Sequence, residues 1–254
     1  MLRTSVTKLL AIALTVVLTG VCFADGYLIH GRRPSAAATG PVGYIHDDFS
    51  VDTEGTNWTS YPDMWDIAGG NAGEVDGTTA MFLYDLEELD SADGRACIEE
   101  LAFSYYDGIK FRMDSTDSSR SYVVRTNTES LIVWRYCDQV GCTDLEGPDS
   151  PGVSIANTDC LCVQWSGIDA STVINWWYLA TANCPAGEAA TTAEWDTNKT
   201  ASGSFSYATC DGASCQSIIT GSASLDGGVG YRHVGFYEGS GSLGLIGEFW
   251  AWGD

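Results

Sequence analysis

The chain has 254 residues, with 34 Asp and Glu against 12 Lys and Arg, for a formal net charge of −22 at neutral pH. Binding a polyphosphate or an anionic lipid surface needs clustered Lys and Arg, so this balance excludes nucleic acid and disfavours acidic membranes as partners. At this length the chain can bury one substantial hydrophobic core.

The opening stretch, MLRTSVTKLLAIALTVVLTGVCFADG, sets Arg3 and Lys8 ahead of an apolar run from Leu9 to about Val21, with a small residue, Ala24, at the expected cleavage position. That pattern predicts a secretory signal peptide over residues 1–24. Val21, directly before Cys22, is bulkier than an acylated cysteine would want. No other segment is long and apolar enough for a membrane span. The expected address is therefore secreted or cell surface, where an acidic, solvated exterior favours solubility.

Residues 25–46 carry no sustained period and are rich in Gly, Ala and Pro, which predicts an extended N-terminal arm or linker. From residue 47 onward short β-like runs alternate with turn clusters. They are TTAMFLY at 78–84, GIKFRM at 108–113, RSYVVRT at 120–126, SLIVWRYC at 130–137, CLCVQWS at 160–166, TVINWWYLA at 172–180, VGYRHVGFY at 229–237 and LGLIGEFWAW at 243–252. Many short strands with Gly and Asp turns, and no long helical period, predict one all-β domain over 47–254. The stretches 138–159 and 181–209 read as surface loops.

Beyond the signal peptide the cysteines are Cys97, Cys137, Cys142, Cys160, Cys162, Cys184, Cys210 and Cys215. An even set in an exported chain predicts disulfides, with the connectivity open. Cys160 and Cys162 share a strand face and need separate partners, for which Cys137 and Cys142 are the nearest candidates. Cys210 and Cys215 are close enough to staple their own loop. Zinc is the competing reading, but the spacings do not repeat as paired CxxC motifs do.

The opening DDFSVDTEGTNWTSYPDMWDIAGGNA, the middle SYVVRTNTESLIVWRY with NTDCLCVQWSGIDASTVINWWYL, and the close GGVGYRHVGFYEGSGSLGLIGEFWAWGD resemble the concanavalin A-like lectin/glucanase superfamily, including its laminin-G-like and secreted bacterial relatives. The resemblance implies a two-sheet antiparallel jelly-roll β-sandwich, with a first strand near the last. It also implies a sheet face that often binds sugar and loops that often hold calcium. DSADG at 90–94 and DSTDSS at 114–119 offer oxygen ligands for a structural calcium, although Asp/Ser/Gly clusters are ordinary turn formers.

Catalytic relatives carry an E-x-D-x-x-E strand, which this chain lacks. The nearest acidic clusters are DLEELD at 85–90 and CIEEL at 97–101, and on a strand Glu99 and Glu100 would face opposite ways. There is no G-x-S-x-G elbow and no phosphate-binding glycine motif. The positive signal is aromatic: nine Trp and twelve Tyr. Alternation turns Ile174, Trp176 and Tyr178 to one face of the strand INWWY, and Asn175 and Trp177 to the other.

Applied to the other strands, the same rule gathers Arg125, Arg135, Gln164, Asn175, Trp177, Tyr231 and His233 on one outer face if these strands share a sheet. Aromatic rings beside amides and guanidinium groups suit a polysaccharide or glycoconjugate, including one bearing a uronate or sulfate. Trp250 and Trp252 form a second candidate platform, unless they pack under the arm. The sequence therefore predicts a secreted, noncatalytic carbohydrate-binding sandwich. The alternative is a structural or adhesive surface protein that self-associates through residues 25–46 by adding a strand to a sheet edge.

Overall fold

Alternation of apolar and polar residues buries one side of each strand, and two such sheets bury their apolar sides against each other. The computed structural model describes residues 42–50, 58–61, 65–68, 71–74, 80–84, 88–102, 107–114, 120–128, 131–138, 141–149, 158–210, 212–220, 225, 231–238 and 245–254. The predicted signal peptide, residues 25–41 of the predicted arm, and residues 115–119 of the second Asp/Ser cluster lie outside the described residues.

One sheet contains β1 (Tyr44–Asp47), β3 (Trp65–Ala68), β4 (Asn71–Glu74), β6 (Gly94–Ala102), β11 (Cys160–Ser166), β12 (Val173–Leu179), β13 (Lys199–Ser206) and β15 (Leu245–Gly253). Its order is β13-β12-β11-β6-β15-β4-β3, with β1 also paired to β15. The second sheet contains β2 (Trp58–Tyr61), β5 (Ala80–Tyr84), β7 (Gly108–Met113), β8 (Ser121–Thr128), β9 (Leu131–Asp138), β10 (Gly141–Asp149) and β14 (His233–Glu238), in the order β10-β9-β8-β7-β14-β5-β2. The ladders between these strands are antiparallel. The fold is a two-sheet antiparallel jelly-roll β-sandwich, in which β6 pairs with β15 and β7 with β14 across long sequence separations.

The core follows the alternation. Ile98, Ile109, Phe111, Tyr122, Val124, Ile132, Trp134, Leu161, Val163, Trp165, Ile174, Trp176, Tyr178, Val234, Phe236 and Phe249 are buried between the sheets. Phe111 of one sheet stacks on Trp165 of the other with centroids 4.8 Å apart. Trp58 meets Phe249 edge-on at 5.2 Å. The Trp58 indole N–H donates to Asp47 Oδ2 at 2.7 Å, and the same carboxylate accepts from the Phe49 amide at 2.8 Å. Asp47 thus fixes the turn out of β1. Residues 44–46, expected in the arm, are instead a strand of the domain, because β15 offers Phe249–Trp252 as a ladder for Tyr44–Asp47.

Two segments expected to be loops hold edge strands. In β13, KTASGSFS, Ala201 and Phe205 are buried while Ser202 and Ser204 are exposed. Gly203 sits where a Cβ would lie 2.5 Å from the Trp176 ring, so glycine makes room for the inward indole. β10, GCTDLEGPD, has one described core residue, Leu145, and its register shifts around Gly147, whose φ is +110°. Lys, Ser, Pro and bulges are the features that keep edge strands from pairing further. A helix, α2 (Gly212–Thr220), follows Cys210 and buries Cys215 and Ile219.

The disulfides are Cys97–Cys162, Cys137–Cys142, Cys160–Cys184 and Cys210–Cys215. Cys210 and Cys215 do staple their own segment. Cys137 and Cys142 are not partners for Cys160 and Cys162, as expected from sequence, because β9 and β10 lie in the other sheet and pair Cys137 opposite Cys142. Cys97 and Cys162 are likewise directly opposed on β6 and β11.

The outer face of the first sheet carries a second apolar layer. Cys97, Cys160, Cys162, Trp177, Leu179, Trp195, Trp250 and Trp252 are all buried there, with Tyr44, Cys184 and Ala190 packed against them. The cover is the segment 184–198, tied down by Cys160–Cys184 and ending in a short helix, α1 (Thr192–Asn198). Thr191 and Glu194 start α1 with a capping box: the Thr191 Oγ1 accepts from the Glu194 amide, and the Thr191 amide donates to Glu194 Oε2. Trp195 then drops between Trp177 and Trp252, each 5.6 Å away and edge-on. The outward tryptophan of INWWY, Trp177, thus packs against Trp195. Trp250 and Trp252 do pack under the first strand: Tyr44 lies 5.5 Å from Trp252, and His46 stacks on Trp250 at 5.8 Å.

Inside the sandwich, Glu100 is fully buried and its Oε1 accepts from the Tyr178 hydroxyl at 3.1 Å. Burial, reinforced by the Asp159 charge and offset in part by the Tyr178 hydrogen bond, pushes its carboxyl up to about 8. The unfolded chain ionises Glu100 near pH 4.5, so stability from this site is fully present below that pH and is lost as pH rises through about 8. Denaturant titrations between pH 5 and 8 should therefore show stability falling as pH rises, a decline that Glu100→Gln removes. Trp195→Ala should cost about 3 kcal/mol and red-shift the tryptophan emission as Trp177 and Trp252 become wet. An unshifted spectrum with unchanged stability would contradict the layer described here.

Candidate functional site

Six of the seven residues gathered by alternation divide between the two sheets. Asn175, Gln164 and Trp177 adjoin on the outer face of the first, with Gln164 opposite Asn175 in register. Arg125, Arg135 and His233 belong to β8, β9 and β14 of the second. Tyr231 precedes β14 and packs half-buried against the core rather than facing out. Alternation tells which face a residue takes, but the chain crosses between sheets after β10, so β9 and β11 are not neighbours.

On the second sheet the polar residues are committed locally. Arg125 is buried with its guanidinium 5.9 Å over Tyr237. Arg135 pairs with Asp144 across the β9–β10 ladder and donates to the Cys142 carbonyl at 3.3 Å. His233, 4% exposed, sets Nε2 3.2 Å from Glu88 Oε1. Arg112 is buried in a left-handed conformation that turns it to the sandwich end, where it meets the Gly167 carbonyl and Asp93. Asp93, in the first candidate calcium segment, therefore serves as an ion-pair partner. Among the described residues, no group of three or more His, Cys, Asp or Glu is placed to hold a metal ion.

On the first sheet a polar row runs beside the layer beneath α1. Register places Ser204, Asn175, Gln164, Arg95 and Trp252 side by side across β13, β12, β11, β6 and β15. Ser204 is exposed, and Asn175, Gln164 and Arg95 are half-buried. Trp177 lies one step along the same face and is only 7% exposed. Its ring supports Trp195 and is not offered to solvent. Beside it, the Lys199 ammonium and a hydrogen bond from Trp177 hold the Asp196 carboxyl below its usual value.

Arg95 is the residue that sequence reasoning missed, since GRACIEEL reads first as an acidic cluster. The signal was present: Arg95, Cys97 and Glu99 alternate with Ala96, Ile98 and Glu100, and only the second set enters the core. The Arg95 guanidinium lies 5.2 Å from the Trp252 ring centroid and 5.6 Å from that of Trp195. Such stacking orients a guanidinium and limits its hydration. Asp254 folds back over this point: Oδ1 is 3.3 Å from Arg95 Nε, and Oδ2 accepts from Gln164 Nε2 at 2.9 Å.

One further row matters chemically. Glu99 and Glu248 oppose each other on β6 and β15, facing outward, and His46 Nε2 lies 3.1 Å from Glu248 Oε2. Burial, then the Glu248 charge, raises the Glu99 carboxyl. Glu100, adjacent in sequence, points into the core, so Glu99 and Glu100 face opposite ways as alternation requires.

No protein-family model matches the chain, and no curated protein matches it. Solved structures of similar shape include the GH43 protein BlXynB from Bacillus licheniformis, at 14% identity and TM-score 0.45, covering 82% of this chain and 39% of that one. This chain therefore spans well under half of BlXynB. The carbohydrate-binding module CBM66 from Bacillus subtilis aligns at 9% identity and TM-score 0.40, over 78% of this chain and 93% of the module. Peanut lectin, solved with a 9mer peptide, aligns at 9% identity and TM-score 0.37, over 82% and 95%.

Proposed function

We propose that this is a secreted, noncatalytic carbohydrate-binding protein, and that its contact surface is the polar row Ser204, Asn175, Gln164 and Arg95. The observation that carries the reading is the register itself. Four adjacent strands present hydroxyl, amide, amide and guanidinium in one line, beside an aromatic layer that α1 and β1 cover. Sugar hydroxyls both donate and accept, and a rigid line of amides answers both roles at fixed spacing. The disulfides and the signal-like leader support an extracellular address. Arg125, Arg135, His233 and Tyr231 have structural partners and are left out of this surface.

A second reading, glycan hydrolysis, rests on the outward pair Glu99 and Glu248 beside His46. Two neighbouring carboxyls, here with Glu99 raised by burial and by the Glu248 charge, are what glycoside cleavage uses. Self-association through the arm would have to use residues 25–41, since 44–47 are already paired to β15.

A panel of neutral and acidic polysaccharides, tested by retention and by reducing-end release, separates these readings. We expect retention of the wild-type protein without release of product. Asn175→Ala and Gln164→Ala should each weaken retention about tenfold while remaining folded, and Arg135→Ala should leave it unchanged. Release of reducing ends that disappears in Glu99→Gln would replace binding with hydrolysis. Neither retention nor release of reducing ends with any polymer would overturn both.

A further inference from the structure

Arg95 and Gln164 already hold a carboxylate, and it is the chain's own. Asp254 sets one oxygen 3.3 Å from Arg95 Nε as an ion pair, without a hydrogen bond to that nitrogen, and accepts from the Gln164 amide with the other, so this point already accommodates both oxygens of a carboxylate. The arrangement is built from a rigid base: Arg95 is fixed between Trp195 and Trp252, Gln164 lies directly opposite it on β11, and Asn175 continues the line on β12. Asp254 itself is peripheral. Its side chain is 27% exposed, against 16% for that of Arg95, and it lies beyond the end of β15.

We propose that this point is a carboxylate subsite for an acidic sugar, a uronate residue of a polysaccharide, and that Asp254 occupies it as an internal competitor. The inference rests on the carbohydrate-binding reading and specifies its ligand. A uronate carboxylate takes the two contacts now made by Asp254, while its ring hydroxyls extend along Asn175 and Ser204. The exchange replaces one carboxylate with another, so Arg95 stays paired throughout and no buried charge is left uncompensated. It also reconciles an acidic ligand with a protein of net charge −22. Repulsion from distant carboxylates is screened beyond about 8 Å at physiological salt, whereas the contact with Arg95 is not. Binding is consequently expected to strengthen as salt rises from very low levels and then to level off.

The test compares an oligogalacturonate, its fully methyl-esterified form and a neutral glucan oligomer by calorimetry, on the wild-type protein and on Asp254→Asn. Asp254 is peripheral, so Asp254→Asn should keep the fold. The prediction is that the oligogalacturonate binds at least tenfold more tightly than its ester. Asp254→Asn should tighten the acid form about five- to tenfold and leave the ester unchanged, because only the competing carboxylate is removed. Gln164→Glu, which sets a like charge at the subsite, should abolish the preference for the acid. Equal affinity for acid and ester, unchanged by Asp254→Asn, would overturn the subsite while leaving sugar binding intact. No binding of any of the three oligomers would overturn the subsite and count against the carbohydrate reading on which it rests.

Discussion

A sheet with large apolar rings on both faces needs a cover on both, and this constraint organises the molecule. The inner face of the first sheet is covered by the second. Its outer face, with Trp177, Trp250 and Trp252, is covered by Trp195 from α1 and by Tyr44 and His46 from β1. Each covering element is fastened where it enters: the 184–198 segment by Cys160–Cys184 and the Thr191/Glu194 capping box, and β1 by its ladder to β15 and the Asp47 turn. The polar row runs beside that cover. Its position is therefore a consequence of where the tryptophans had to be buried.

Scarcity of positive charge gives the row its second property. In so acidic a chain, the cations of the second sheet and the sandwich end are engaged near at hand, Arg135 with Asp144, Arg112 with Asp93, Arg120 with Asp114. Arg95 also has a carboxylate partner, but its guanidinium is held by two aromatic rings as well as by the ion pair. Exposed ion pairs of this sort contribute little to stability. Exchanging one carboxylate for another there keeps the guanidinium paired and on its aromatic support.

Much of this was legible in the sequence, because alternation is local. The inward placement of Trp176, Trp165, Trp134, Tyr122 and Phe236, and the outward placement of Trp177, Asn175 and Gln164, follow from counting along single strands. What alternation cannot carry is which strand lies beside which. Arg125 and Arg135 have the face expected of them but in the other sheet, and Cys137 finds Cys142 instead of the cysteines of β11. Edge strands β10 and β13 escaped because an edge strand needs few apolar residues and is protected by the same Gly, Pro, Ser and Lys that mark loops. Trp195 looks like a loop residue in sequence, and only the bare aromatic face beneath it explains its burial.

A ligand on the outer face of the first sheet would meet the amides of Asn175 and Gln164. The most direct measurement is the side-chain amide spectrum of the ¹⁵N-labelled protein, recorded while an oligosaccharide that binds it is added. The Gln164 and Asn175 side-chain resonances should shift first and saturate with the binding isotherm, while backbone resonances of Arg125, Arg135 and His233 stay in place. Shifts confined to β8, β9 and β14, with Gln164 and Asn175 unmoved, would put the ligand on the other sheet and contradict this placement.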